Sequence, residues 1–270
     1  MIERFETGTL SLKMKQDNIK KEFIDRQVLT FSETGEHEEL LNRHKKILSL
    51  ILKYSSKNDY VLDIGCFDGK ILKSLEQEGY NNLYGVDFSE AAKVSFTKSS
   101  IHFAPCDIEH QEISFKEKFD VVILSDVLEH LFSPQSILFD LKKKLSKDAR
   151  IVLSVPNAGW FINGLLLSFF PSKLFLSTAF GPWGHTYHFT FYNVKKTAQN
   201  LKFKVLELSG GRMDNYVFNS GIKKMLFEGF LQATYSLALI WPKIFSAHIF
   251  GVFQNTNMKL TEKERFELGD

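Results

Sequence analysis

Val61-Leu62-Asp63-Ile64-Gly65-Cys66-Phe67-Asp68-Gly69-Lys70 is the stretch on which the reading of this chain turns. An apolar run gives way to two glycines four residues apart, and a helix-forming segment, Lys70–Glu78, follows at once. Strand, sharp turn, helix is the order this pattern dictates. Glycine suits such a turn because it takes backbone angles that a Cβ disfavours and lets a ligand approach bare backbone. A dinucleotide fingerprint would read G-x-G-x-x-G, but Phe67 stands at its second glycine and no third glycine follows at the required spacing. A phosphate-cradling P-loop fails as well, since Gly69-Lys70-Ile71 lacks the upstream glycine and the Ser or Thr. The turn is expected to receive a nucleoside without a pyrophosphate.

Outward from this turn the same alternation repeats. Strands are expected at Tyr60–Ile64, Leu83–Asp87, Ile101–Pro105, Phe119–Ser125 and Ile151–Val155, and helices at Lys70–Glu78, Glu90–Lys98 and Pro134–Leu145. Strands that are apolar throughout belong to a parallel sheet covered on both faces. Val194 to Ser209 reads as one more helix and strand, and His248 to Gln254 as a last strand. The expected fold is therefore α/β, a doubly wound, mostly parallel, seven-stranded sheet whose ligands bind at the carboxyl ends of the strands. Helices in Lys15–Tyr54 precede it, with Leu40, Leu41, His44, Ile47, Leu48, Ile51 and Leu52 at helical spacing. We divide the chain into a helical N-terminal cap (1–57), an α/β core (58–157) and a substrate-side cap that completes the sheet (158–270), all in one compact domain.

Acidic residues recur where those strands end. Asp87 lies 22 residues after Gly65, and a carboxylate at the end of a second strand can accept hydrogen bonds from both hydroxyls of a ribose. Asp107 closes the third strand, where it could take a proton from an exocyclic amino group while Ile108 and Phe88 pack on the faces of a base. The fourth strand finishes in Ser125-Asp126-Val127-Leu128-Glu129-His130-Leu131. An Asp after a strand is by itself a common cap or turn former. Four such features in order at four successive strands carry more weight.

These residues resemble the class I S-adenosylmethionine-dependent methyltransferases, of the small-molecule and glycan-cluster type. Val61–Gly69 corresponds to the first motif, Val86-Asp87 to the acidic ribose motif, Cys106-Asp107-Ile108 to the adenine motif, Phe119–Leu131 to the fourth, and Ile151–Asn157 to the fifth. Phe67 departs from the family's usual glycine. The resemblance implies a Rossmann-like methyltransferase fold and S-adenosyl-L-methionine as cofactor. It implies that Asp63 orients the glycine turn or meets the cofactor's amino group, and that Gly65 and Gly69 permit close approach beside Cys66. Asp87 would hold the ribose, Asp107 with Ile108 would select adenine against Phe88, and Ser125 and Val127 would line the methionine arm. The acceptor would be a small molecule or a lipid-linked one, methylated at a hydroxyl oxygen. The rival reading is a protein that binds the cofactor without turnover, as a partner or sensor.

A hydroxyl acceptor benefits from a general base near neutral pKa, which points to histidine. His185 and His188 lie in Gly184-His185-Thr186-Tyr187-His188-Phe189, after an apolar insertion, and His130 lies just past the fourth strand. For each, a structural role and contact with the acceptor both stand open. Glu129 could orient one of them. No metal site is expected, and Cys66 and Cys106 are read as buried thiols in a reducing compartment.

The 34 Lys+Arg against 32 Asp+Glu leave a formal charge of +2, which offers no general field for nucleic acid, so none is expected as partner. Met1 to Gln16 has no apolar run of signal-peptide length, so a cytoplasmic location is expected. The 26 Phe are the compositional anomaly, and they concentrate beyond the cofactor half. Trp160–Phe180 and Gly229–Phe253 are very apolar but are interrupted by charges and prolines. They are expected as a cap over the acceptor site, with peripheral membrane contact through 160–180 or 225–253 as the sharper alternative.

Overall fold

The computed structural model describes residues 40–96, 99–172, 185–212, 229, 234, 236–256 and 258. Helix α1 (Asn42–Tyr54) leads into β1 (Tyr60–Ile64), α2 (Lys70–Gln77), β2 (Asn82–Asp87), α3 (Glu90–Phe96) and β3 (His102–Pro105). Next come β4 (Phe119–Ser125), a single 3-10 turn at Leu128–His130, α4 (Pro134–Leu141), β5 (Leu145–Pro156) and α5 (Phe161–Phe169). The last elements among the described residues are α6 (Phe191–Asn200), β6 (Phe203–Gly211), α7 (Pro242–Phe245) and β7 (His248–Asn255).

The strands form one seven-stranded sheet in the order β3-β2-β1-β4-β5-β7-β6. Strands β1 to β5 pair in parallel, and β7 runs antiparallel between β5 and β6. The order reverses between β1 and β4, the place where an open α/β sheet leaves a crevice for a ligand.

Alternate side chains along each strand supply two cores. One face carries Val61, Leu83, Val121, Ile123, Val152 and Phe250 against Ile47, Leu50 and Ile51 of α1 and Ile71, Leu72 and Leu75 of α2. The other carries Leu62, Val86, Val122, Leu124, Leu153 and Phe253 against Leu138 of α4 and Val194 and Ala198 of α6. The three aliphatic side chains that α1 buries contribute roughly 5 to 9 kcal/mol of gross burial at about 1.5–3 kcal/mol each.

The strands lie where the sequence puts them, with informative exceptions. Strand β5 starts at Leu145, six residues before the expected Ile151, because Leu145 pairs with Phe119 before a register break ahead of the Val121–Arg150 pair. The exposed Lys147 and Asp148, with Asp148 at φ 60°, sit in that irregularity and hide the strand from an apolar-run reading. Helix α4 stops at Leu141, four residues short of expectation, and Lys142–Lys144 make one 3-10 turn. Of the expected N-terminal helices α1 is described, with Leu50 buried and Leu52 44% exposed; residues 1–39 lie outside the described residues, as do 173–184 and most of 225–241.

Asn157 ties the end of β5 to the cap. It is fully buried, its Nδ2 donates to the carbonyls of Lys243 (3.1 Å) and Ser246 (2.8 Å), and its Oδ1 accepts from the Gly159 N–H (3.0 Å). Its own carbonyl accepts from Asn163 Nδ2 at 3.0 Å. Replacement by leucine strands the buried Ser246 carbonyl and removes the partner of the Lys243 carbonyl and the Gly159 amide. Asn157→Leu is expected to cost about 2–4 kcal/mol in urea unfolding, on the scale of a buried polar group left unpaired; a loss under 0.5 kcal/mol on the same scale would contradict it.

Candidate functional site

The turn after β1 is stitched to β2 by two amides, Gly65 N–H and Cys66 N–H, which donate to the Val86 carbonyl at 2.8 and 3.2 Å. Three of its residues are left-handed: Gly65 (φ 70°), Phe67 (φ 45°) and Gly69 (φ 73°). A Cβ on Gly65 would lie 2.7 Å from Val127 Cγ2, and one on Gly69 would lie 2.5 Å from Phe96 Cζ. Both glycines are therefore required by angle and by space. Phe67 has no such freedom, and its conformation costs about 1 kcal/mol or more.

Asp87 offsets that strain. Its Oδ2 accepts the Phe67 N–H at 3.0 Å and its Oδ1 accepts the Ser89 N–H at 2.8 Å. Each carboxylate oxygen retains a second lone pair, so Asp87 can still receive two hydroxyls. Asp63 is 3% exposed at the end of β1; burial, then the charges of Asp87 and Asp68, push its carboxyl well above the usual range. Asp63, Asp68 and Asp87 thus surround one turn, and Lys70 Nζ stands 3.5 Å from Asp68. This excess of acid suits a ligand with cationic centres, such as a sulfonium and an ammonium group. Burial likewise pushes the Cys66 thiol far up, so it is no nucleophile.

The remaining cofactor candidates line the same rim. The Cys106 N–H donates to the Asp87 carbonyl at 3.0 Å, placing the end of β3 beside the end of β2. Asp107 is partly exposed; its carboxylate accepts the Glu109 N–H and meets His110 Nδ1, both at 3.0 Å. Phe88, Ile108, Ser125 and Val127 are all half-buried. All ten residues therefore fall on the carboxyl edge of four adjacent strands, β3-β2-β1-β4.

Beyond the end of β4, two distant segments are fastened together by backbone. The N–H groups of Thr186 and Tyr187 donate to the Glu129 carbonyl at 2.8 and 3.0 Å, and Thr186 Oγ1 donates to the Leu131 carbonyl at 2.9 Å. The rings of His130 and His185 consequently meet edge to face, centroids 4.8 Å apart, and His185 Nε2 lies 4.0 Å from Glu129 Oε1. Glu129 is 1% exposed, and burial together with the charge of Asp126 pushes its carboxyl well above the ordinary range. His188 is exposed and outside this group; its carbonyl accepts from Asn193 at the start of α6. Of the three candidate histidines, the fold gathers two.

Further residues gather beside the site whose part in it sequence reasoning passed over. Asp126, itself left-handed at φ 54°, accepts from Ser154 Oγ at 2.8 Å and pairs with Arg43 Nε of α1 at 2.6 Å. Burial alone would raise its carboxyl, but Arg43, then His248, Ser154 and His44, hold it below the usual value. His248 is 4% exposed at the first residue of β7, opposite Pro156. An antiparallel strand starts at the edge where its parallel neighbours end, and that was the available signal.

A family model described as a methyltransferase domain matches residues 36–208. The tRNA U34 carboxymethyltransferase of Sulfurimonas denitrificans is 32% identical over 106 residues, covering 37% of this chain and 36% of that protein. The ubiquinone biosynthesis O-methyltransferase of Hydrogenovibrio crunogenus is 25% identical over 154 residues, covering 54% of this chain and 63% of that one. The chain thus spans about a third of the first relative and under two thirds of the second. Among solved structures, the plantazolicin methyltransferase BamL, in complex with a triazolic desmethylPZN analog and SAH, superposes with a TM-score of 0.57 at 18% identity, covering 86% of this chain and 91% of that one.

The geometry makes two expectations for cofactor binding. Gly65→Ala and Gly69→Ala are expected to abolish S-adenosylhomocysteine binding in calorimetry. Asp87→Asn is expected to weaken it about 10- to 100-fold, the worth of a charge-assisted acceptor; unchanged affinity in Asp87→Ala would place the cofactor elsewhere. The stretch matched by the family model runs from before α1 into β6 and takes in every strand end that forms this rim, and the chain belongs to the class I S-adenosylmethionine-dependent methyltransferases.

Proposed function

We propose that the chain methylates a hydroxyl oxygen of a small or lipid-linked acceptor held against Glu129, His130 and His185. The observation that carries this reading is adjacency: Val127, two residues before Glu129, fills the space beside Gly65, so the histidine pair borders the glycine turn. In the proposed pose Asp87 holds the ribose, Asp107 and Ile108 select adenine, and Phe88 packs on its face. Asp63 answers the ammonium group, Ser125 and Val127 line the methionine arm, and Cys66 fills space beneath the turn. Bound there, S-adenosylmethionine supplies a methyl group on a sulfonium, whose C–S electron pair stays on sulfur as the acceptor oxygen bonds to the methyl carbon. The chain's own task is in-line positioning and support for the acceptor oxygen as it gives up its proton.

Helix α5 bears on the apolar side of the acceptor. Asn163 is the residue this helix buries, while Leu167, Phe169 and Phe170 stand 62, 70 and 61% exposed. Leu239, Ile240 and Trp241 ahead of α7 are likewise exposed. Such surface favours an acceptor with a greasy body, or one presented at a membrane surface. No described helix is long and apolar enough to cross a membrane.

The test is to incubate the protein with methyl-labelled S-adenosylmethionine and cell extract, then to separate organic-soluble, water-soluble and RNA fractions. Label in an alkali-stable, organic-soluble product is expected. Label confined to RNA would replace the acceptor class, and none in any fraction would leave a cofactor-binding protein without turnover. On the identified acceptor, His185→Ala is expected to lower kcat/KM at least about 100-fold and His188→Ala less than about threefold; equal retention by both would remove His185 from the site.

A further inference from the structure

Glu129 occupies an unusual position for a carboxylate. It is 1% exposed, and among the described residues neither Oε1 nor Oε2 has a hydrogen-bond donor, although buried carboxylates are ordinarily satisfied. Beside it lie His130 and His185, and one ligand atom from each of the three residues falls within 4.8 Å of the others. We infer that Glu129, His130 and His185 form a binding site for one divalent transition-metal cation.

The distances suit that assignment. With metal–ligand bonds of about 2.0–2.2 Å, donors in tetrahedral positions on one ion stand about 3.3–3.6 Å apart. The 4.0 Å between Glu129 Oε1 and His185 Nε2 needs to close by roughly 0.6 Å and the widest pair, within 4.8 Å, by at most about 1.4 Å, shifts that side-chain rotation supplies. The backbone bonds from Thr186 and Tyr187 to the Glu129 carbonyl hold the two ligand-bearing segments in register without using a side chain of the trio. The pairing of Asp126 with Arg43 keeps that neighbouring carboxylate engaged elsewhere. Two imidazoles with one carboxylate select ions such as Zn²⁺, Co²⁺ or Mn²⁺ over Mg²⁺ and Ca²⁺, which prefer oxygen throughout. Three protein ligands also leave coordination positions open for an acceptor oxygen.

The inference rests on the reading that the acceptor sits at this cluster, and it deepens that reading. A hydroxyl on the cation loses its proton to water more readily. Its oxygen then forms the C–O bond while the C–S bond breaks toward sulfur, so the products are a methyl ether, a proton and S-adenosylhomocysteine. His185 acts by holding the ion.

The test uses the untagged full chain, stripped with chelator and dialysed. Co²⁺ and Zn²⁺ are titrated separately by calorimetry, Co²⁺ also by visible absorption, with Mg²⁺ as the contrast ion. One saturable Co²⁺ or Zn²⁺ per chain is expected, with a d–d band and no comparable Mg²⁺ binding. Glu129→Gln, nearly isosteric and without buried charge, and His185→Ala are each expected to weaken Co²⁺ binding at least about tenfold, while S-adenosylhomocysteine affinity stays within twofold to report an intact fold. Absence of saturable binding to wild type that still binds S-adenosylhomocysteine overturns the site, as does undiminished binding to both variants. Methylation that survives exhaustive chelation also overturns the catalytic part and leaves the methyltransferase reading standing. Metal binding with no methylated product in any fraction would instead sink the acceptor reading and keep the site.

Discussion

The carboxylate of Asp87 is the constraint on which the rim of this sheet depends. It holds the Phe67 and Ser89 amides at 3.0 and 2.8 Å, while its own carbonyl takes the Cys106 N–H at 3.0 Å. One residue thereby fixes the turns that follow β1 and β2 and the exit of β3. Hydrogen bonds from amides to a charged acceptor contribute about 1.5–3 kcal/mol each, enough to keep Phe67 left-handed where glycine would be the easier choice. The cradle is thus formed before any ligand enters it, which spares binding the cost of ordering a loop.

The two halves of the site are built by different physics. The proposed cofactor half is local: each residue stands in the last two positions of its own strand or within five residues beyond it, and pairing between neighbouring strands brings the ends together. The proposed acceptor half is assembled at long range. His185 is brought to Glu129 by the main-chain bond of its neighbour Thr186 across 57 residues, Arg43 arrives from α1, and His248 from β7. A buried acid set among imidazoles and a guanidinium is a high-energy arrangement unless charges or ligands balance it.

That division explains what could be read from the sequence. Gly65, Gly69, Asp87 and Asp107 announce themselves because turn chemistry and strand ends leave periodic marks in a single stretch. His130 and His185 were legible as chemistry, but their meeting was not, since nothing local encodes the bonds from 186 and 187 to 129. The start of β5 was hidden by charged residues at an irregularity, and His248 looked like the first residue of an ordinary strand. The apolar insertion was legible in composition alone; in α5 the polar Asn163 is the buried residue while Leu165, Leu167 and Phe169 face outward, the reverse of the usual pattern.

The fastening of that insertion has a consequence for how the protein can change. It leaves the core at Asn157 and Ala158, whose N–H donates to the Phe189 carbonyl at 2.7 Å, and it re-enters through Thr186 on Glu129. Both ends are clamped to the sheet within a few residues of each other. Closing a longer loop between fixed ends costs only about 0.6 kcal/mol per doubling of length. The segment can therefore lengthen, shorten or change its greasiness with little effect on the position of His185, so new acceptors can be accommodated by exchanging one module while the methyl-donor machinery stays as it is.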